Sequence, residues 1–247
     1  MAGAPRVLCV IPARFASTRL PGKPLLEIAG VPLVMWAYNR AVESGAFTQV
    51  VVATDDTRIV DVVRAHGGTA VMTASTHVSG TDRVREVVES VPCDFVVNLQ
   101  GDEPDVPATL LREFVARLVH VGANSLLTCV CDGTIEHRDN PNVVKVVLNA
   151  RSEALYFSRA GIPFDRTGIA TGVVRHIGIY GFSREGIRRF CGFAVGALEQ
   201  VEMLEQLRAL EQGMTIVCVK TSYDGCGIDT PEDLAAFRDR VRLSDRA

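Results

Sequence analysis

The sequence predicts an α/β fold, a three-layer sandwich around a mostly parallel central sheet. Three observations predict it. Short β-branched runs alternate with helical patterns through the first half. The runs are apolar throughout rather than at alternate positions, as in strands buried on both faces. Turn residues such as Gly45 and the Gly67-Gly68 pair punctuate them.

In chain order, residues 7–11 read as the first buried strand. A helix over 31–44 follows, stopped by Gly45, and 49–54 is the second strand. Residues 58–66 form a helix closed by Gly67-Gly68, then 69–73 a strand and 81–91 a helix. Residues 94–100 are the fourth strand, and 107–119 are helical. The second half is less regular. Residues 126–131, 143–148 and 176–182 read as strands, and 198–212 as a strong helix. Residues 215–220 form a strand and 231–242 a closing helix with Pro231 in its first turn. No linker, repeat or low-complexity tract interrupts the chain. The plain reading is a single domain over 1–247 with an insertion.

Composition narrows the function classes. The formal charge of the 247 residues is -3 and the pI about 6.0, with both signs interspersed. No basic block predicts a nucleic-acid groove or a membrane-surface patch, so neither partner is expected. The seven cysteines are scattered without a CxxC pair, which predicts a reducing compartment. The five histidines show no HExxH or HxxxH spacing, which removes the usual zinc signals. The apolar run at 7–11 is too short for a signal core and no stretch is long enough to span a bilayer. A soluble, cytoplasmic protein is the expectation.

In open parallel sheets, ligands bind beyond the carboxyl ends of the strands. Four polar segments stand at or near such ends: 12–23, 54–56, 77–83 and 100–105. The first carries Arg14, Arg19 and Lys23 around Gly22, a set suited to a polyphosphate, although surface cations that merely solvate a loop are the alternative. It is not a Walker A loop, since Ser17 stands at the first Gly position and Pro24 follows the lysine. No GxGxxG follows the first strand, and no DxD occurs. P-loop ATPase, Rossmann dehydrogenase and glycosyltransferase readings lose their main support.

Asp102 follows the fourth strand at the Gly101 turn, where a carboxylate can hold Mg²⁺ beside phosphate oxygens. Asp229 precedes the closing helix, with Thr230 its obvious N-cap; it can ligate a metal or only complement the helix dipole. Asp55 and Asp56 read as a cap or loop-shaping pair, and Glu103 and Asp105 as rim residues. Ser79, Gly80 and Asp82 can offer contacts to a nucleotide, yet they equally suit a helix start.

The segment IPARFASTRLPGKPL at 11–25 resembles the nucleotide-binding signature of the CMP-Kdo synthetase family, where Kdo is the acid sugar 3-deoxy-manno-octulosonate. The resemblance runs on through VATDD, MTASTHVSGTDR, VNLQGDEP, NPNVVKVV, ALYFSRAGIP, RHIGIYGF, LEQVEMLEQLRALEQG and GIDTPEDL, in the family's order over nearly the whole chain. It implies a nucleotidyltransferase, Rossmann-like fold with a smaller inserted sugar-binding and dimerisation region at roughly 133–200. It implies a cytidylyltransferase that joins CTP to Kdo for lipopolysaccharide biosynthesis, using Mg²⁺, as a homodimer. Alternatives are a cytidylyltransferase for sialic acid or an amino-substituted Kdo, and a non-catalytic nucleotide-binding regulator.

Carried over residue by residue, the resemblance makes Asp102 and Asp229 the metal ligands and gives Arg14 and Lys23 catalytic roles beside them. Arg14, Arg19 and Lys23 would bind the phosphates, main-chain atoms of Pro12 and Ala13 would help to read the base, and Ser79, Gly80 and Asp82 would line the nucleotide. Gln100, Arg159, Arg166, His176, Tyr180, Glu205 and Gln206 would bind the sugar. Without the resemblance, Glu205 and Gln206 read as solvated positions beside an apolar stripe of Val201, Leu204 and Leu207. Strand alternation alone puts His176 and Tyr180 on one face. The sequence departs from the family at Phe15, where Tyr is common, and in a shorter connection from Asp165 to His176.

Overall fold

A computed structural model describes residues 3–16, 20–169, 172–225 and 227–244. They fall into two compact units, one of residues up to 115 together with 225 onward, the other of 116–224. The insertion expected at about 133–200 lies within the second.

The first unit begins with β1 (Val7–Ala13), buried on both faces as its unbroken apolar run requires. A 3-10 turn at Lys23–Leu25 leads into a two-stranded hairpin of β2 (Glu27–Ile28) and β3 (Val31–Pro32). That hairpin takes the residues expected to open the first helix, so α1 (Leu33–Ser44) starts two residues later and ends at Gly45 in the left-handed region, φ 62°. Next come β4 (Gln49–Thr54), α2 (Thr57–Ala65), β5 (Ala70–Met72), α3 (Gly80–Ser90), β6 (Phe95–Asn98) and α4 (Ala108–Leu118). Within the unit the strands run in the order β6-β1-β4-β5, every pair parallel. The parallel sheet expected from the sequence is therefore present.

The second unit is built on β7 (Ser125–Thr134), α5 (Ile135–Asp139), β8 (Lys145–Leu148), β9 (Ala154–Ser158) and β10 (Gly172–Ser183). It continues with α6 (Arg184–Gly192), α7 (Ala197–Glu202), α8 (Leu207–Glu211) and β11 (Thr215–Lys220). β10 pairs antiparallel with β7, and β11 joins β7 in parallel. β8 links β10 to β9. β9 and α6 were not expected.

The long helix expected over 198–212 is broken. Met203 adopts φ 53° and caps α7, its N–H bonding to the Glu199 carbonyl. The Glu199 carboxylate accepts two hydrogen bonds from Arg208 across the break, at 2.7 and 2.5 Å. This buried ion pair outweighs the local helical pattern. Val201, placed in the apolar stripe by helical spacing, is 84% exposed, while Leu204 and Leu207 are buried.

The chain then returns to the first unit as α9 (Pro231–Ser244). Its Leu234, Phe237 and Val241 join Leu20, Ile28, Leu33 and Ile228 in one buried cluster. Trp36 meets Phe237 edge-on with centroids 5.3 Å apart. Burying an aromatic of this size stabilises by about 2 kcal/mol or more, which fixes the last helix against α1 and the hairpin. Among the described residues no helix is long and apolar enough to cross a membrane.

Candidate active site

The core cluster explains how residues far apart in sequence meet. Ile228 is buried, and its N–H donates to the Asp102 carbonyl at 3.0 Å, so the two aspartate-bearing turns run side by side. Thr230 caps α9 as expected: its hydroxyl accepts the Asp233 N–H, while Asp233 Oδ2 takes the N–H groups of Asp229 and Thr230. Asp233 is thereby occupied, and its pKa is lowered; burial works against this, but the backbone donors and Lys23 outweigh it.

Lys23 completes the arrangement. Its Nζ donates to Asp102 Oδ2 at 2.6 Å and to Asp229 Oδ1 at 3.0 Å. Burial alone would lower the lysine's pKa, yet the two carboxylates more than offset it and the net shift is upward. The side chains of Lys23 and Asp102 are largely shielded and that of Asp229 is half open. This is a compact cation–dianion cluster at a strand mouth. It borders a cavity of about 330 Å³ lined by Pro12, Ala13, Arg14, Lys23, Gln100 and Asp102 among others.

Arg14 lines the cavity, and its Nη2 donates to the His77 carbonyl at 3.0 Å. The His77 ring in turn contacts Glu86, whose carboxylate also accepts the Ala74 N–H. A Cβ added at Gly80 would lie 3.4 Å from the Pro12 ring, so the start of α3 rests against the end of β1. Ser79 is the N-cap of α3: its hydroxyl donates to Asp82 Oδ2 at 2.9 Å and accepts the Asp82 N–H at 3.1 Å. The helix-start role of both residues is thus present, and a nucleotide contact would have to share them. Gln100 donates to Asn98, which donates to Thr81 on α3. Arg19 lies outside the described residues.

Two nearby acids, Asp55 and Glu103, differ from their expected places. Asp56 caps α2, but Asp55 pairs with Arg83 at 3.0 Å. Glu103, expected on the rim, is only 8% exposed, whereas Asp105 is partly exposed beside Arg240 at 3.4 Å, as a rim residue would be. Arg83 was missed altogether. It is fully buried, donates to Thr73 and Asp55, and so ties the ends of β4 and β5 to α3. The signal was available: Arg83 stands four residues before Val87, on the apolar face of its helix.

In the second unit, part of the predicted sugar set comes together. His176 Nε2 lies 2.9 Å from Thr128 Oγ1, and its ring packs edge-on against Phe157 and at a tilt against Tyr180, with centroids 5.4 Å apart. Burial lowers the His176 pKa to about 3, so the imidazole is neutral. A register shift in β10 between Ile177 and Tyr180 breaks simple alternation, yet the two rings still meet. Tyr180 donates to Gln206 Oε1 at 3.2 Å. Burial, followed by the charge of Glu205, raises the tyrosine's pKa. Gln206 is 4% exposed and its Nε2 finds no hydrogen-bond partner, an orphaned amide that a ligand oxygen would satisfy. The break at Met203 places Gln206 here rather than on a solvated helix face.

The two arginines behave differently. Arg159 donates to the carbonyls of Glu202, Pro141 and Met203, holding the end of α7. Arg166 is exposed at a turn that Asp165 closes through the N–H groups of Thr167 and Gly168.

A sequence profile of the family described as cytidylyltransferase matches residues 8–216. The chain is also similar to a solved CMP:2-keto-3-deoxy-manno-octonic acid synthetase complexed with CTP: 38% identity and TM-score 0.93, over 97% of this chain and 99% of that one. A cytidylyltransferase from Leptospira borgpetersenii serovar Hardjo-bovis matches at 19% identity and TM-score 0.65, covering 97% of this chain and 88% of its own. A nucleotidyl transferase from Methanothermobacter thermautotroptrophicus matches at 15% and 0.62, covering 97% and 99%. The last two share the fold alone. The profile spans most of the sequence and the synthetase aligns over nearly all of it, which bears out the resemblance read from the motifs: the chain belongs to the cytidylyltransferase family.

Proposed function

We propose that this enzyme transfers a cytidylyl group from CTP to Kdo, releasing pyrophosphate and supplying lipopolysaccharide synthesis. The observation that carries the reading is the Lys23 ammonium seated between Asp102 and Asp229 at the mouth of a parallel sheet. The likeness to a synthetase complexed with CTP supports the nucleotide, and its 38% identity supports the sugar.

Mg²⁺ fits the donor set. Hard carboxylate oxygens suit it, it needs only one or two of them beside phosphate and water, and the lysine ammonium already stands in as a cation between the pair. Asp102 and Asp229 would hold it, and when bound it supplies neutralisation of charge on the reacting phosphates.

The chain's own residues do the rest by positioning and charge. Phosphate oxygens draw Lys23 away from the carboxylates, exchanging one set of anionic partners for another. Arg14, anchored by its bond to the His77 carbonyl, adds a planar cation toward the same cavity. The anomeric hydroxyl of the sugar attacks the α-phosphorus, a phosphorus–oxygen bond forms, and the bond to the departing pyrophosphate breaks. Pro12 and Ala13 line the cavity where the base would be read, and Arg19, Ser79, Gly80 and Asp82 belong to the same nucleotide reading. On the sugar side, Gln206 offers its unsatisfied amide and Tyr180 holds that amide in place. Gln100, His176, Glu205, Arg159 and Arg166 complete the sugar set of this reading. A homodimer in the cytoplasm belongs to it too, and the exposed Phe164 and Ile169 of the second unit suit a subunit contact.

The test is pyrophosphate release from CTP and Mg²⁺ with Kdo, sialic acid or an amino-substituted Kdo as acceptor. Fastest turnover on Kdo is expected. Faster turnover on another acid sugar would reassign the acceptor, and CTP binding without turnover on any of them would leave only a nucleotide-binding protein.

A further inference from the structure

We propose that Arg58 is a positioning residue for the first loop, acting through the Phe15 ring on the backbone that delivers Lys23. The Arg58 guanidinium lies 3.4 Å from the centre of the Phe15 ring. It is held there: Nε and Nη2 donate to the two oxygens of Asp56 at 2.9 and 2.6 Å. Asp56 is itself fixed as the N-cap of α2, accepting the Arg58 N–H at 3.0 Å. A guanidinium gripped at its edge by a carboxylate still has a free face for an aromatic ring.

The ring also meets Gly22. A Cβ added at Gly22 would lie 3.3 Å from Phe15 Cζ, and φ of 68° already disfavours any other residue there. The Gly22 N–H donates to the Phe15 carbonyl at 3.2 Å. Ring contact and main-chain bond therefore join the same two residues and close the loop at its base. Lys23 is the next residue, so the closure sets where its ammonium can reach. Asp56, Arg58, Phe15 and Gly22 form a relay from the start of α2 to the cation of the site. Arg58 needs no contact with substrate to act.

The consequence for nucleotide binding rests on reading this loop as the triphosphate's, so two readouts are needed. One is amide hydrogen exchange at Gly22 in the protein without nucleotide. The other is steady-state kinetics with CTP and Kdo. The variants are Arg58→Ala, Phe15→Leu and their double, with Arg64→Ala removing an equal charge from the far end of α2. Either single change is expected to quicken Gly22 exchange and lower kcat/KM for CTP about two- to five-fold, with the KM for Kdo unchanged. The double should be no worse than the larger single, Phe15→Tyr should behave as the parent, and Arg64→Ala should move neither readout. Multiplying effects in the double, or unchanged Gly22 exchange, would overturn the proposal. Faster exchange in a protein that does not use CTP would keep the relay and discard the nucleotide reading.

Discussion

Two inner lysines, one in each unit, are neutralised in opposite ways. In the first, Lys23 rests between two carboxylates, which raise its pKa against the effect of burial. In the second, Lys145 is fully buried and donates to three carbonyl oxygens, those of Asn140, Val143 and Arg159, and burial lowers its pKa, with the Arg159 charge adding to it. Arg159 likewise spends its donors on carbonyls. A carboxylate partner can be traded for a phosphate oxygen of like charge, so the first cation is exchangeable. Main-chain carbonyls cannot leave without unfolding the turns that bear them. One lysine keeps its charge for chemistry, the other for architecture.

The comparison breaks most sharply at the exchangeable cluster. Asp102→Asn or Lys23→Ala should cost about 100- to 1000-fold in kcat, measured as pyrophosphate release at saturating CTP, with little change in melting temperature. Near-normal turnover in both would remove the cluster from the mechanism. Lys145→Met should do the reverse, lowering unfolding free energy by about 1–3 kcal/mol because stranded carbonyls remain buried, with kcat preserved. Denaturant titration checks it, and an unaltered midpoint would show that the carbonyls do not depend on the lysine.

Smaller effects sharpen the picture of the second unit. Gln206→Leu should raise the KM for the sugar about ten-fold, with a loss of about 1–3 kcal/mol in stability because the buried Tyr180 hydroxyl loses its acceptor. A loss of stability with an unchanged KM would mean that the amide serves the fold instead. His176 gives the pH dependence. Its folded pKa, near 3, lies below the ordinary value of about 6.5, so its contribution is fully present above that value. Below it the unfolded chain takes up a proton that the buried ring refuses, and stability falls toward pH 3 by at most about 1.4 kcal/mol per unit. His176→Gln should flatten that part of the stability curve; an unchanged slope would assign the acid sensitivity elsewhere.

Much of the first unit was legible because its rules are local. Unbroken apolar strands, Gly45 after α1 and Thr230 before α9 each act within a few residues. The pairing of Asp102 with Asp229 was legible only through the motif resemblance. Nothing local announces a hydrogen bond between Ile228 and the Asp102 carbonyl. The second unit hid more. The break at Met203 depends on an ion pair nine residues long, Glu199 to Arg208, set inside a segment of good helical pattern. α6, with Arg184, Arg188 and Arg189 among nine residues, reads as polar surface until Ile187 and Phe190 are seen to be buried. Arg83 shows that one charged residue on an apolar helix face can be a fold-bearing contact.

The Ile228 bond also bears on when the site comes into being. During synthesis, a chain that has emerged through α8 already carries Lys23 and Asp102 but lacks the second carboxylate. Leu20, Leu33 and Trp36 still await α9. The site cannot assemble until the segment bearing Asp229 and α9 has docked on that cluster, so competence for turnover waits on this docking.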